Sequence, residues 1–271
     1  DFVPLAEARR LMRPIGRWVL QEALREAVRW RALLGADAAP PVAVNLSTDE
    51  FSAPGYAEGV IQALAAHGLP GEALEIELTE RMLMDDLAEV RRTLEPLRAI
   101  GVRISVDDFG TGYTSLAHLR DLPIDRLKVD RSFVAGVPDH PGSVAIVRAI
   151  VQLGGALGLQ VIAEGVETEA QRDWLVAQGC DELQGEWLLP PCSGQALRTW
   201  MAARPARHPA QPPVSLPLGA FTGRCHPSIS AWRPRPTASF PGGTSSVMVE
   251  PPPIVAPAPT VTGATRTQLE P

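Results

Sequence analysis

The chain has 271 residues, a mass of 29.0 kDa and 45% apolar residues, which is enough to bury a substantial core in one or two domains and excludes a wholly disordered chain. Its 25 basic and 31 acidic residues leave a net charge of −6, so it has no basic footprint for general binding to a nucleic-acid polymer. A helical block, FVPLAE, opens the sequence, and a Val-rich strand follows at 41–47. A helix is predicted over 54–67 after Phe51, then a strand over 74–80. A second helix is predicted over 85–99, with Leu87, Val90, Leu94 and Leu97 at helical spacing. Strands over 102–108 and 124–130 precede a helix over 143–157. A strand over 160–165, a helix over 167–178 and a last strand over 181–189 complete the series. Six strands alternating with helices are the pattern of repeated βα units, which build a parallel sheet.

Near Arg204 the composition breaks. Residues 205–271 hold 15 of the 27 prolines and only two acidic residues, Glu250 and Glu270. They lack helical or strand periodicity, so 1–204 is expected to be the folded domain and 205–271 a disordered Pro-rich tail.

Parity within the strands separates an open sheet from a closed one. Ile76 and Leu78 oppose Glu75, Glu77 and Thr79; Ile104 and Val106 oppose Arg103, Ser105 and Asp107; Leu127 and Val129 oppose Arg126, Lys128 and Asp130. An open sheet covered by helices on both faces would read as continuous apolar runs. A barrel explains the split, with apolar faces outward under helices and polar residues inward toward the C-terminal mouth. Each strand ends in a polar group: Asn45, Glu77, Asp107 with Asp108, Lys128, Glu164 and Gln184.

Asn45, Glu77, Asp107, Asp108 and Glu164 are hard oxygen donors suited to Mg²⁺ or Mn²⁺. Adjacent carboxylates at Asp107 and Asp108 repel unless cations neutralise them, and at a turn they can face two metals roughly 3.5–4 Å apart, as phosphodiester hydrolysis uses. An N-cap and turn before GTGYTS is the alternative for that pair. Composition singles out two residues independently. Lys128 is the only Lys beside 24 Arg, and Asn45 is the only Asn. A site that needs one compact ammonium resists exchange for a planar guanidinium.

Other readings of these residues fail. Asp108-Phe109-Gly110 spells a kinase triplet without the rest of the kinase set, and Gly110-Thr111-Gly112 is too short for a phosphate-binding loop. The five histidines show no ligand spacing, and Trp18, Trp30, Trp174 and Trp187 read as packing. Cys180, Cys192 and Cys225 form no CxxC pair and fit a reducing, cytoplasmic setting.

The blocks VAVNLS, LEIELTE, VDDFGTGYTSL, LPIDRLKVDRSFV, VIAEGVET and GCDELQGEWLLP, in that order, resemble the EAL-domain cyclic di-GMP phosphodiesterases across about residues 1–204. The resemblance implies an α/β modified TIM-like (β/α)8 barrel that hydrolyses cyclic di-GMP to the linear dinucleotide with Mg²⁺ or Mn²⁺ in a two-metal site. It implies that Asn45, Glu77, Asp107, Asp108 and Glu164 are metal ligands, with Asp107 bridging. Lys128 would orient or activate the attacking water, supported by Glu167 and Gln184. Glu80 would brace the loop after Asp107-Asp108, a loop tied to homodimerisation, and Asp130 is a further candidate beside Lys128.

The family's Glu-Ala-Leu signature does not occur upstream of the FVPLAE block, because the chain begins at Asp1. The expectation is therefore a barrel missing about its first two strands, with any membrane anchor confined to upstream segments. Glu186-Trp187 after Gln184-Gly185 is a smaller departure from the family pattern. A non-catalytic cyclic di-GMP receptor and an inactive truncated fragment are the competing readings.

Overall fold

The computed structural model describes residues 3–84, 87–112, 116–203 and 216–218. Six strands lie side by side in chain order and all run parallel: β1 (Val42–Asn45), β2 (Leu74–Thr79), β3 (Arg103–Phe109), β4 (Arg126–Val129), β5 (Gln160–Ala163) and β6 (Glu182–Leu183). The sheet curls into a parallel half-barrel, a partial TIM-like barrel. The described helices are α1 (Val3–Ala8), α2 (Met12–Leu34), α3 (Thr48–Phe51), α4 (Tyr56–Ala66), α5 (Leu87–Ala99), α6 (Leu116–Asp121), α7 (Arg131–Val134), α8 (Pro141–Leu157), α9 (Glu169–Gln178) and α10 (Gly194–Ala202), of which α2, α5 and α8 pack directly on the strands.

Strand parity decides which side chains meet the helices. Ile76, Leu78, Ile104, Val106, Leu127, Val129 and Val161 are all buried in the apolar core beneath the helices. Each contributes about 1.5–3 kcal/mol relative to an exposed side chain. The helices meet this layer at matching spacing: α2 buries Val19, Ala23, Leu24, Ala27 and Trp30, a single stripe.

Local chemistry sets the helix ends. The His140 ring nitrogen accepts the Ser143 N–H at the start of α8, Pro141 occupies its first turn, and Gly158 ends it at φ 73°. Thr168 and Gln171 form a reciprocal capping box at the start of α9. Gly154 lets α8 approach β5, because a Cβ there would lie 2.3 Å from Val161 Cγ2.

The structure departs from the expected elements in three places. The last strand does not run over 181–189: β6 stops at Leu183, and 186–188 form a turn. Gly185 lies against the Val166 backbone, and its carbonyl accepts the Leu188 and Leu189 N–H groups, so the apolar pair is drawn into the turn. Trp30 is buried, but Trp18 and Trp187 are surface residues. In the tail, Leu216–Leu218 forms a short strand, β7, parallel to the outer edge of β1. The rest of 205–271 lies outside the described residues. No described helix is long and apolar enough to cross a membrane.

Candidate metal centre

The inner face of the half-barrel is charged, and its C-terminal half gathers around one lysine. Lys128, in the middle of β4, is 2% exposed, and its Nζ lies 2.8 Å from Glu77 Oε1, 3.0 Å from Asp107 Oδ1 and 2.5 Å from Glu164 Oε1. Glu77 comes from β2, Asp107 from β3, and Glu164 follows β5. With all three carboxylates ionised, one ammonium leaves the cluster two charges negative before Asp108 is counted.

A backbone irregularity places Asp107 and Asp108 together. Val106 pairs with Leu127 and Phe109 with Val129, so β3 carries one residue more than β4 across that interval. Such a bulge breaks the in-out alternation and re-aims side chains. Asp108 adopts φ 53°, a left-handed conformation that Asp tolerates better than most residues. As a result, carboxylate oxygens of Asp107, Asp108 and Glu164 all lie within 4.8 Å of one another. An all-oxygen donor set of this kind, carrying excess negative charge, fits a hard divalent cation.

The remaining candidates border this cluster. Asn45 ends β1, exposed, in register beside Glu77. Gln184 is half-buried and follows β6, its backbone bonded to Ala163 and Val166. Glu167 is exposed, and its N–H donates to Gln171 Oε1. Asp130 caps α7 by accepting the Ser132 N–H, and its carboxylate is hydrogen-bonded to Asp108. Glu80, almost fully buried, accepts N–H bonds from Gly110 at 3.1 Å and Gly112 at 3.0 Å.

These residues match the EAL domain family over residues 1–191. The chain belongs to the EAL-domain family. This EAL domain is 45% identical over 197 residues to MucR of Pseudomonas aeruginosa, a bifunctional diguanylate cyclase/cyclic di-GMP phosphodiesterase, a match that covers 73% of the chain and 28% of MucR. The MucR phosphodiesterase in its cyclic di-GMP complex superposes with a TM-score of 0.68, covering 72% of this chain and 78% of that one. The EAL domain of Mycobacterium smegmatis DcpA, 42% identical, gives 0.66 and covers 72% and 86%. BlrP1 of Klebsiella pneumoniae in a manganese and cyclic di-GMP complex, 32% identical, gives 0.53 and covers 60% and 41%. The EAL domain spans about a quarter of the length of the curated relatives it matches.

Electrostatics at the EAL site follow from burial. Desolvation pushes Glu164 up to about 7 against the opposing pull of Lys128. Burial and the neighbouring Asp107 push Asp108 up to about 6, and burial raises Glu77 as well. Burial works against the Lys128 charge, but Glu164, Glu77 and Asp107 outweigh it and hold the ammonium well above its usual range.

Carboxyls raised in the folded state bind more protons there than in the unfolded chain, so in EDTA this cluster's contribution to stability falls as pH rises from about 4.5 to about 8. A divalent cation should oppose that slope, because ligand deprotonation and binding are linked. Unfolding midpoints across this window, with EDTA and with Mn²⁺, test it: a slope identical in both refutes the assignment.

Glu80→Gln should loosen the loop without unfolding the domain. Its carboxylate makes charge-assisted bonds of about 1.5–3 kcal/mol each, and the neutral amide makes weaker ones. Hydrogen exchange at Gly110 and Gly112 should accelerate at least tenfold while β2 and β4 stay protected. Unchanged protection at both glycines would show that the loop is held elsewhere.

The inner network below the metal cluster escaped the sequence-based reading of function. Arg126, Glu75 and Glu182 form a buried ion triad there. Inward parity at Glu75 and Arg126 was the signal that could have found it.

Proposed function

We propose that this EAL domain is a cyclic-guanylate phosphodiesterase that opens cyclic di-GMP to linear pGpG in bacterial second-messenger signalling. The observation that carries the reading is the convergence of Glu77, Asp107, Asp108 and Glu164 around buried Lys128 at the C-terminal mouth, in a chain of this family. In this reading Asp107, Asp108 and Glu164 hold the metal, joined by Glu77 and Asn45 from the neighbouring strands. Bound Mg²⁺ or Mn²⁺, as two ions, supplies Lewis-acid stabilisation of charge on the phosphoryl oxygens.

Without metal the three carboxylates hold Lys128 protonated, and in this reading it orients or activates the attacking water. Its ammonium holds carboxylates from three strands in one arrangement and can donate to the attacking water or the phosphate. Gln184 and Glu167 flank that water. Asp130 is a further candidate beside Asp108 and Lys128, and Glu80 holds the following loop, where this reading puts a homodimer contact. The reaction is assigned to the cytoplasm, and residues 1–204 are taken as the catalytic domain.

The test is hydrolysis of cyclic di-GMP by the whole chain in Mn²⁺ and in EDTA, followed by chromatography of pGpG, beside Lys128→Ala. Turnover that needs both Mn²⁺ and Lys128 supports the enzyme. Tight binding without cleavage in Mn²⁺ would instead make this domain a cyclic di-GMP receptor, and neither binding nor cleavage would match an inactive fragment.

A further inference from the structure

The turn that replaces the expected end of the last strand carries an exposed tryptophan, and its backbone is bonded to the segment that leaves Glu164. Trp187 is 36% exposed and sits three residues after Gln184, at the same end of the barrel as Glu77, Asp107 and Glu164. The turn is locked to the segment that follows Glu164. Val166 N–H donates to the Gln184 carbonyl at 2.9 Å, and Trp187 N–H donates to the Val166 carbonyl at 3.0 Å. A Cβ at Gly185 would lie 2.2 Å from the Val166 carbonyl oxygen, so the two segments are in close contact there.

The ring is also supported from one side. The Arg172 guanidinium lies 4.4 Å from the indole centroid, and Glu169 at 2.8 Å and Asp173 at 2.5 Å hold Arg172 in place. Arg172 is in the first turn and a half of α9, which follows β5 and the Glu164 segment in the chain. A large apolar ring kept partly in water on a rigid turn, with a cation behind it, has the properties of a stacking platform for a planar π-system.

We propose that Trp187, backed by Arg172, stacks one purine base of the dinucleotide at the rim of the metal centre. This rests on the phosphodiesterase reading and adds to it the residue that grips the base. Aromatic stacking accepts any purine, so Trp187 contributes affinity, and discrimination of guanine falls to other groups.

The experiment is equilibrium titration of the whole chain with cyclic di-GMP in EDTA, read by tryptophan fluorescence and calorimetry, together with kcat and KM in Mn²⁺. Trp187→Ala should weaken binding about tenfold or more and raise KM with kcat within about twofold. Trp187→Phe should restore most of the affinity while removing the ligand-induced change in indole emission. Cyclic di-AMP should lose affinity in parallel on Trp187→Ala. Wild-type affinity in Trp187→Ala, or a ligand-induced emission change that persists in Trp187→Phe, overturns the stacking role and leaves the phosphodiesterase reading standing. A wild-type chain that neither binds nor cleaves cyclic di-GMP overturns both. If Trp187→Ala fails to fold, the Trp187→Phe emission result decides.

Discussion

Replacing Lys128 with Met should cost about 3–5 kcal/mol of stability in EDTA near neutral pH and abolish cyclic di-GMP hydrolysis. Met matches the lysine stem in length, so the cavity term is small and the loss is electrostatic. Without the ammonium, Glu77, Asp107 and Glu164 converge on a site with no counter-charge, and Glu77 is buried almost completely. They respond by taking up protons, so the penalty should shrink at about pH 5, where protonation is easier. Mn²⁺ should recover part of the stability but none of the turnover, because it neutralises the carboxylates without restoring the orienting donor. Denaturant unfolding at both pH values, with EDTA and with Mn²⁺, separates these effects. A penalty that is independent of pH and metal would mean that Lys128 serves packing alone. Retained hydrolysis would remove it from the chemistry.

Strand parity made the barrel interior legible because the side-chain period of two is rigid. It placed Glu77, Lys128 and Asp107 on one inner surface before any geometry was known, and Lys128 stands at the centre of that surface. What parity could not show is where the period fails. Asp107 and Asp108 should point to opposite faces of a regular strand, and they share a site because β3 bulges at that point. Nothing local marks the bulge except the two carboxylates themselves. Leu188 and Leu189 read as strand for a related reason: their apolar character is satisfied by packing in a turn, and the turn is imposed by contact between Gly185 and Val166, a tertiary feature. Trp187 followed the same error, since an aromatic residue read as core belongs to that exposed turn. Asn45 and Lys128 stood out for a different reason, as sole survivors of their residue types. Composition can flag such positions but cannot place them.

Arg126→Met should destabilise the domain by about 3–5 kcal/mol, whereas the triple variant Glu75→Leu, Arg126→Met, Glu182→Leu should be near neutral or more stable. Arg126 Nη1 lies 2.9 Å from Glu75 Oε2, Nη2 lies 2.9 Å from Glu182 Oε1, and Nε donates to Gln160 Oε1 at 3.0 Å, all at or below 2% side-chain exposure for the three charged residues. Removing only the guanidinium takes the ion-pair partner from two buried carboxylates and leaves Arg103 as their remaining cationic neighbour. Removing all three charges also removes their desolvation cost. The network nevertheless has a positional role, because β2, β4 and β6 are not neighbours in the sheet and the triad joins them across its concave face. A one-residue slip of β4 would turn Arg126 toward the helices, so the triad penalises every register but the native one. The triple variant is therefore expected to match or exceed the parent midpoint in urea while losing hydrogen-exchange protection in β4 and β6, the signature of a stable but less uniquely registered sheet. If its protection pattern equals that of the parent, the apolar outer face alone sets the register and the charged layer is dispensable. If Arg126→Met is as stable as the parent, water reaches this layer and screens the two carboxylates.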